Sequence, residues 1–240
     1  MTRIESIKSL IQSLVIVCSL IPAPLTLAQE KKAPPSKLVQ FQMALLRKGP
    51  KWTEAQTPES QKILHQHLVN VLTMLDSGKA VVAGPVGDDT DLGGIFILRA
   101  STAEEAKTWV DADPAVKAGL FVPEMHPWWS EDIFKKRTLP LKMNTLYLAF
   151  LKSGPNRTQP AAEAEEIQKA HLANIQRLAK LGKLVAAGPF GDDGALRGIF
   201  VFRVASLEEA RALSDTDPAV KAGRLVLELH PWQVPEGLLP

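Results

Sequence analysis

The chain has 240 residues, 45% of them hydrophobic and 22% charged, with 28 basic against 26 acidic side chains and one cysteine, Cys18. A balance this close to neutral, with no long run of one sign, excludes the basic face that nucleic-acid binding requires. The lone cysteine excludes a disulfide framework, and residues 29–240 contain no thiolate nucleophile or cysteine metal ligand.

The first segment is set apart by composition. Arg3 and Lys8 precede an apolar stretch from Leu10 to Leu27, broken by Gln12, Ser13, Pro22 and Pro24, and Thr26-Leu27-Ala28 closes it. A basic start, a short apolar middle and a small-residue exit predict a signal peptide over residues 1–28, cleaved near Ala28. The apolar run falls short of the ~20 residues of a spanning helix, so export to the periplasm or exterior is expected, with no membrane attachment once the leader is gone. A retained anchor is the alternative. A lipoprotein through Cys18 is disfavoured by bulky Val17 before it and by its depth in the apolar segment.

Residues 29–37 read as a linker, and a first folded unit is expected over 38–129. Residues 38–46 are apolar-rich and stop at Gly49-Pro50, which predicts a strand and a turn. Residues 60–77 carry apolar side chains at 64, 68, 71, 72 and 75, the spacing of a helix, with Gly78 at its exit. Strands are expected over 79–86 and 94–100, separated by the loop Gly87-Asp88-Asp89. Thr102 followed by Glu105 is a capping-box start for a second helix ending at Asp111-Ala-Asp113, and residues 120–125 form the last strand. Ser130 to Leu141 connects to a second unit, placed at 143–233 after a linker over 130–142.

That second unit repeats the first. Residues 61–128 align with 165–232 at a constant offset of 104, and 34 of 68 positions are identical. A period near 100 residues is too long for a solenoid repeat of ~20–50 residues and suits a duplicated small domain. Each copy reads strand, helix, strand, strand, helix, strand, the ferredoxin-like split unit, an antiparallel sheet with both helices on one face. The bare face of each sheet must be buried. The two sheets are therefore expected to pack together as an intramolecular pseudo-dimer, an α+β barrel closed within one chain.

Residues kept in both copies are the candidates for chemistry. The repeated His67 and His171 lie on the first helix of each copy, His67 about 100° from Leu68 and so at the rim of the apolar stripe. Asp113-Pro114 through Gly119, and Asp217-Pro218 through Gly223, read as one capped helical turn. Gly84-Pro85 and Gly188-Pro189 read as strand ends where backbone approaches closely. In His126-Pro-Trp128 and His230-Pro-Trp232 the Trp is expected to cover the barrel end, with a half-exposed His. A pocket lid, or a metal pair with His67, is the functional alternative, although the spacing forms no metal motif. His65 has Lys169 opposite it and reads as a solvated helix residue, and Trp52 and Trp129 are likewise unmatched.

The strings Lys183-Leu-Val-Ala-Ala-Gly-Pro189, Ala170-His-Leu-Ala-Asn174 and Asp111-Ala-Asp-Pro-Ala-Val-Lys-Ala-Gly119 resemble the YciI-related (YCII) domain family. The resemblance covers nearly all of each copy and neither the leader nor the linkers. It implies a dimeric α+β barrel related to muconolactone isomerases, a His–Asp active site and small-molecule substrates. The family's helix histidine falls on His67 and His171. Its aspartate falls in the loop holding Asp88-Asp89 and Asp192-Asp193, a shorter loop than the family pattern, with either member of each pair open for the role.

A carboxylate that fixes the tautomer of an imidazole makes it a general base near neutral pH. Such a base moves a proton next to a carbonyl, which gives isomerisation, or expels a leaving group, which gives elimination. The sequence therefore points to an isomerase or lyase acting on a small molecule, with His67, Asp88, Asp89, His171, Asp192 and Asp193 as the site. The rival is a non-catalytic binding or interaction protein of the cell envelope. No cofactor, metal or nucleic acid is expected, and the pseudo-dimer is free to pair again into a larger homo-oligomer.

Overall fold

A computed structural model describes residues 38–55 and 57–240. The predicted signal peptide and the linker over 29–37 lie outside the described residues.

In the first repeat β1 (Leu38–Lys48) leads into α1 (Pro58–Asp76). Thr57 caps α1 by accepting from the Ser60 amide, Pro58 takes the first turn where no donor is needed, and Gly78 at φ +75° follows its last turn. Strands β2 (Ala80–Pro85) and β3 (Leu92–Leu98) follow, then α2 (Ala103–Asp111), whose cap Thr102 accepts from the Glu105 amide. The side chain of Glu105 returns to the Ser101 amide at 2.8 Å. A single turn, α3 (Pro114–Lys117), precedes β4 (Phe121–Glu131). The second repeat runs β5 (Met143–Ser153), α4 (Ala161–Lys180), β6 (Leu184–Pro189), β7 (Leu196–Phe202), α5 (Leu207–Ser214), α6 (Pro218–Lys221) and β8 (Leu225–Pro235).

Each repeat forms an antiparallel four-stranded sheet, ordered β2-β3-β1-β4 and β6-β7-β5-β8. This is the expected ferredoxin-like order. The outer face of the second sheet carries Ala149, Leu151, Phe200 and Phe202, packed with Ile175 and Leu207 from its helices. The opposite face sends Leu148, Phe150, Ile199 and Trp232 into one core with Phe41, Met43, Leu45 and Trp128 of the first repeat. The shared core is what makes two copies one compact unit.

The sheets also meet at their edges. Across one seam Gly87 N donates to Pro231 O at 2.9 Å, and across the other Gly191 N donates to Pro127 O at 2.7 Å. Trp232 Nε1 donates to Gly84 O at 3.2 Å, and Trp128 Nε1 to Gly188 O at 3.1 Å. A Cβ on Gly84 would lie 1.8 Å from Gln233 O, and one on Gly188 would lie 1.7 Å from Trp129 O. The glycine of each Ala-Gly-Pro string is there because the other repeat's backbone passes over it. The pseudo-dimer expected from the duplication is the observed architecture, a barrel closed at both seams.

Two local expectations need correcting. The last strand of each copy runs well past the expected end, so His126-Pro-Trp128 and His230-Pro-Trp232 lie inside β4 and β8 rather than capping the barrel. Proline inside a strand is tolerated only where its missing N–H is not needed. Pro127 and Pro231 each sit on a sheet-edge strand, pair with the neighbouring strand, and offer a carbonyl across the seam, so no gap is left. The histidines are accordingly buried rather than half-exposed, and both tryptophans are fully enclosed. Among the described residues no helix is long and apolar enough to cross a membrane.

Candidate functional site

The repeated helix histidine is tied to an aspartate in both copies. Asp113 sits in extended backbone as the cap of α3, accepting from the Ala115 amide at 2.8 Å. The same carboxylate faces the ring of His67, with both oxygens 2.9 Å from Nδ1. Asn70, three residues along the same face of α1, donates to Asp113 Oδ2 at 2.8 Å. The second repeat copies the arrangement: His171 Nδ1 lies 2.9 Å from both oxygens of Asp217, Asn174 donates to it at 3.2 Å, and Ala219 N donates at 2.9 Å.

Asp113 and Asp217 are completely enclosed, while the side chains of His67 and His171 keep 19% and 10% exposure. Burial pushes both carboxyls up. Hydrogen bonds and the charge interaction from the histidines, with help from the asparagines and the α3 or α6 amide, outweigh it and hold both below the usual carboxylate range. Each carboxylate orients its imidazole by accepting from Nδ1–H, which leaves Nε2 as the nitrogen able to take a proton. The rings pack on aromatic side chains, His67 beside Phe96 and Phe121, and His171 against Phe200.

The acid partner expected for His67 and His171 was one of the loop aspartates. The structure pairs these histidines instead with Asp113 and Asp217, whose capping role is real and uses only part of the carboxylate. A signal for the second role was present: the run from Asp113 to Gly119 is identical in both copies, as are Asn70 and Asn174.

The loop aspartates go elsewhere. Asp88 Oδ2 lies 2.7 Å from His230 Nδ1, and Asp192 Oδ2 lies 2.6 Å from His126 Nδ1, so each reaches the histidine of the other repeat. Thr90 Oγ1 donates to Asp88 Oδ1 at 2.6 Å, and Gly194 N donates to Asp192 Oδ1 at 3.1 Å. Burial raises the Asp88 carboxyl, but Thr90 and His230 outweigh it and leave it below the ordinary value. Asp89 and Asp193 are exposed on the loop surface.

The other side of each seam histidine also meets a carboxylate. His126 Nε2 lies 2.9 Å from Glu124 Oε1, and Glu124 is held in turn by Arg47 at 3.1 Å. His230 Nε2 lies 3.2 Å from Glu228 Oε1 but is too poorly aligned for a hydrogen bond, and Glu228 pairs with Lys152. His126 therefore belongs to a seam network, with a carboxylate at each ring nitrogen. Among the described residues no group of three or more His, Cys, Asp or Glu side chains is arranged to hold a metal ion.

Among the described residues, the cavities on the helix layer include two of note. One, of about 310 Å³, is lined by Lys51, Thr53, Thr57, Ser60, Ile63 and Leu120, among others. Ser60 and Ile63 lie on the α1 face that carries His67, but His67 is not in the lining. The other, of about 250 Å³, lies between α5, α6 and β8 and includes Arg211, Asp215 and Leu229.

The YCII-related domain matches residues 42–128 and again 145–233. The chain belongs to the YCII-related domain family. Among curated proteins none matches it. Solved structures similar to this YCII-related chain include a haem-binding protein from Thermus thermophilus, at TM-score 0.52 and 12% identity over 82% of this chain and 93% of that one. A chlorite dismutase variant from Candidatus Nitrospira defluvii is similar at TM-score 0.55 and 12% identity, over 85% of this chain and 94% of that one. At such identities the likeness concerns the fold, the tandem α+β barrel, in which this YCII-related protein places one His–Asp–Asn cluster per repeat.

Proposed function

We propose that the protein is a small-molecule enzyme of the isomerase or lyase type, with His67 and His171 as general bases. The observation that carries this reading is the buried carboxylate on Nδ1 of each ring, with the same 2.9 Å geometry in both repeats. Asp113 and Asp217 are positioning residues: each fixes the tautomer and stabilises the cation formed when Nε2 takes a proton. The base would remove a proton next to a carbonyl and return it at another carbon, or leave it removed as a leaving group departs.

The test is hydrogen–deuterium exchange of candidate lactones and unsaturated dicarboxylates in D2O, followed by NMR. The wild type is expected to exchange a carbon-bound proton of at least one compound, and His67→Gln with His171→Gln to abolish that exchange. Exchange by no compound, or exchange undiminished in the double variant, would refute the proposal.

One observation favours a non-catalytic reading: neither of these two helix-layer cavities is lined by His67 or His171, and each aspartate ties α1 to α3 or α4 to α6. On that reading the same double variant loses stability and no activity is found. Haem binding is not carried over from the structural neighbour, because a likeness at 12% identity concerns the fold alone. Export through residues 1–28 is part of the proposal and rests on the sequence of that segment. Amino-terminal sequencing of the protein from its native host, beginning near Gln29, checks it.

A further inference from the structure

The two repeats differ around the turn from the first strand towards the first helix. In the first repeat Trp52 packs on Phe121 with ring centroids 5.2 Å apart, and Gly93 is the extra residue of a bulge in β3. A Cβ on Gly93 would lie 2.4 Å from the Phe121 ring, so only glycine fits beside that aromatic pair. In the second repeat the positions of Trp52, Gly93 and Leu120 are taken by Arg157, Arg197 and Arg224, and Leu225 replaces Phe121.

Three guanidiniums thus stand where the first repeat has apolar side chains and a glycine. The hydrogen bonds that Arg157 and Arg224 make go to neutral oxygens. Arg157 Nη1 donates to Arg224 O at 3.1 Å, and Arg224 Nη1 donates to Gln159 Oε1 at 2.7 Å. Gln159 Nε2 donates on to Ala222 O at 3.3 Å, lacing the loop before α4 to the loop after α6. Among the described residues no carboxylate lies within ion-pair distance of Arg157 or Arg224. Burial and the neighbouring positive charges of Arg224 and Arg197 hold the Arg157 guanidinium below its ordinary value. Like charges gathered with no carboxylate paired to Arg157 or Arg224 are unfavourable, and guanidinium donors match the oxygens of phosphate and carboxylate groups.

We propose that Arg157, Arg197 and Arg224 form an anion-binding site unique to the second repeat, taking a compact small molecule with two or more negatively charged oxygens. Anion binding here does not require proton exchange at His171, so the two succeed or fail separately. Its presence in one repeat makes the two halves of the barrel unequal, with the second half selective for charged ligands.

Isothermal titration calorimetry of the full chain tests the proposal, with inorganic phosphate in one series and citrate in another. One equivalent of at least one anion is expected to bind, and the stronger binder identifies the preferred headgroup. Arg157→Gln with Arg224→Gln should weaken binding at least tenfold, and Arg197→Gln alone should weaken it measurably. Arg203→Gln, at an exposed arginine just past the end of β7, should leave it unchanged. Circular dichroism of each variant confirms that the fold is retained, and Arg197→Gln serves if the double variant does not fold. No binding of either anion, or a loss shared equally by Arg203→Gln, would overturn the proposal.

Discussion

His126 of the first repeat and Asp192 of the second meet at 2.6 Å, and the reciprocal pair, His230 and Asp88, meets at 2.7 Å. Each loop aspartate therefore fastens its own repeat to the other one, beside the strand edges that close the barrel. The pairing assigns Asp88 and Asp192 to cohesion and leaves the helix histidines to Asp113 and Asp217.

Removing both loop carboxylates should loosen the barrel. Asp88→Ala with Asp192→Ala leaves two buried imidazoles without their acceptor, and each loss is expected to cost about 1–3 kcal/mol. Urea denaturation measures it. A double-mutant cycle between Asp88 and His230 should give a favourable coupling across the seam. A coupling of zero would mean that the contact contributes nothing to holding the repeats together.

The seam glycines offer a steric test. In Gly84→Ala or Gly188→Ala the new methyl would collide with a carbonyl oxygen of the other repeat, so strand edges must separate. Overpacking costs typically ~1–3 kcal/mol, and a backbone collision belongs at or above the top of that range. Thermal melts of the two variants should both fall by several degrees. An unchanged melting temperature would show that the edges do not run so close.

Acid should unfold the protein through named groups. The carboxyls of Asp113 and Asp217 are held below their ordinary value of 3.8 in the folded state. A depressed folded value means stabilisation present above the unfolded value and lost as pH falls through the folded one. Asp88, Glu124 and Glu228 shift in the same direction. Folding stability should therefore drop as pH falls below about 4. Asp113→Asn with Asp217→Asn should be less stable at neutral pH and show a shallower acid slope. An identical slope in wild type and variant would remove these two groups from the explanation.

Much of the fold could be read from the duplication. Two copies of a half-bare sheet demand each other's cover, and the capping pairs Thr102–Glu105 and Ser206–Glu209 marked the second helix of each copy. Asp113 was legible as a helix cap but not as the histidine's partner. A cap uses one carboxylate oxygen, and the remaining lone pairs are invisible in a sequence. Asp88 was legible as important but not as the partner of His230, 142 residues away. A constant offset reveals which residues recur. It does not reveal which copy supplies the neighbour, because barrel closure decides that.

The most direct measurement of the central claim is the tautomer of His67 and His171, read from two-bond couplings in 15N-imidazole NMR at mildly alkaline pH. A carboxylate-held base predicts hydrogen on Nδ1 and a bare Nε2 in both rings, with that preference lost in Asp113→Asn and Asp217→Asn. Rings carrying their hydrogen on Nε2 in the unaltered protein would contradict it.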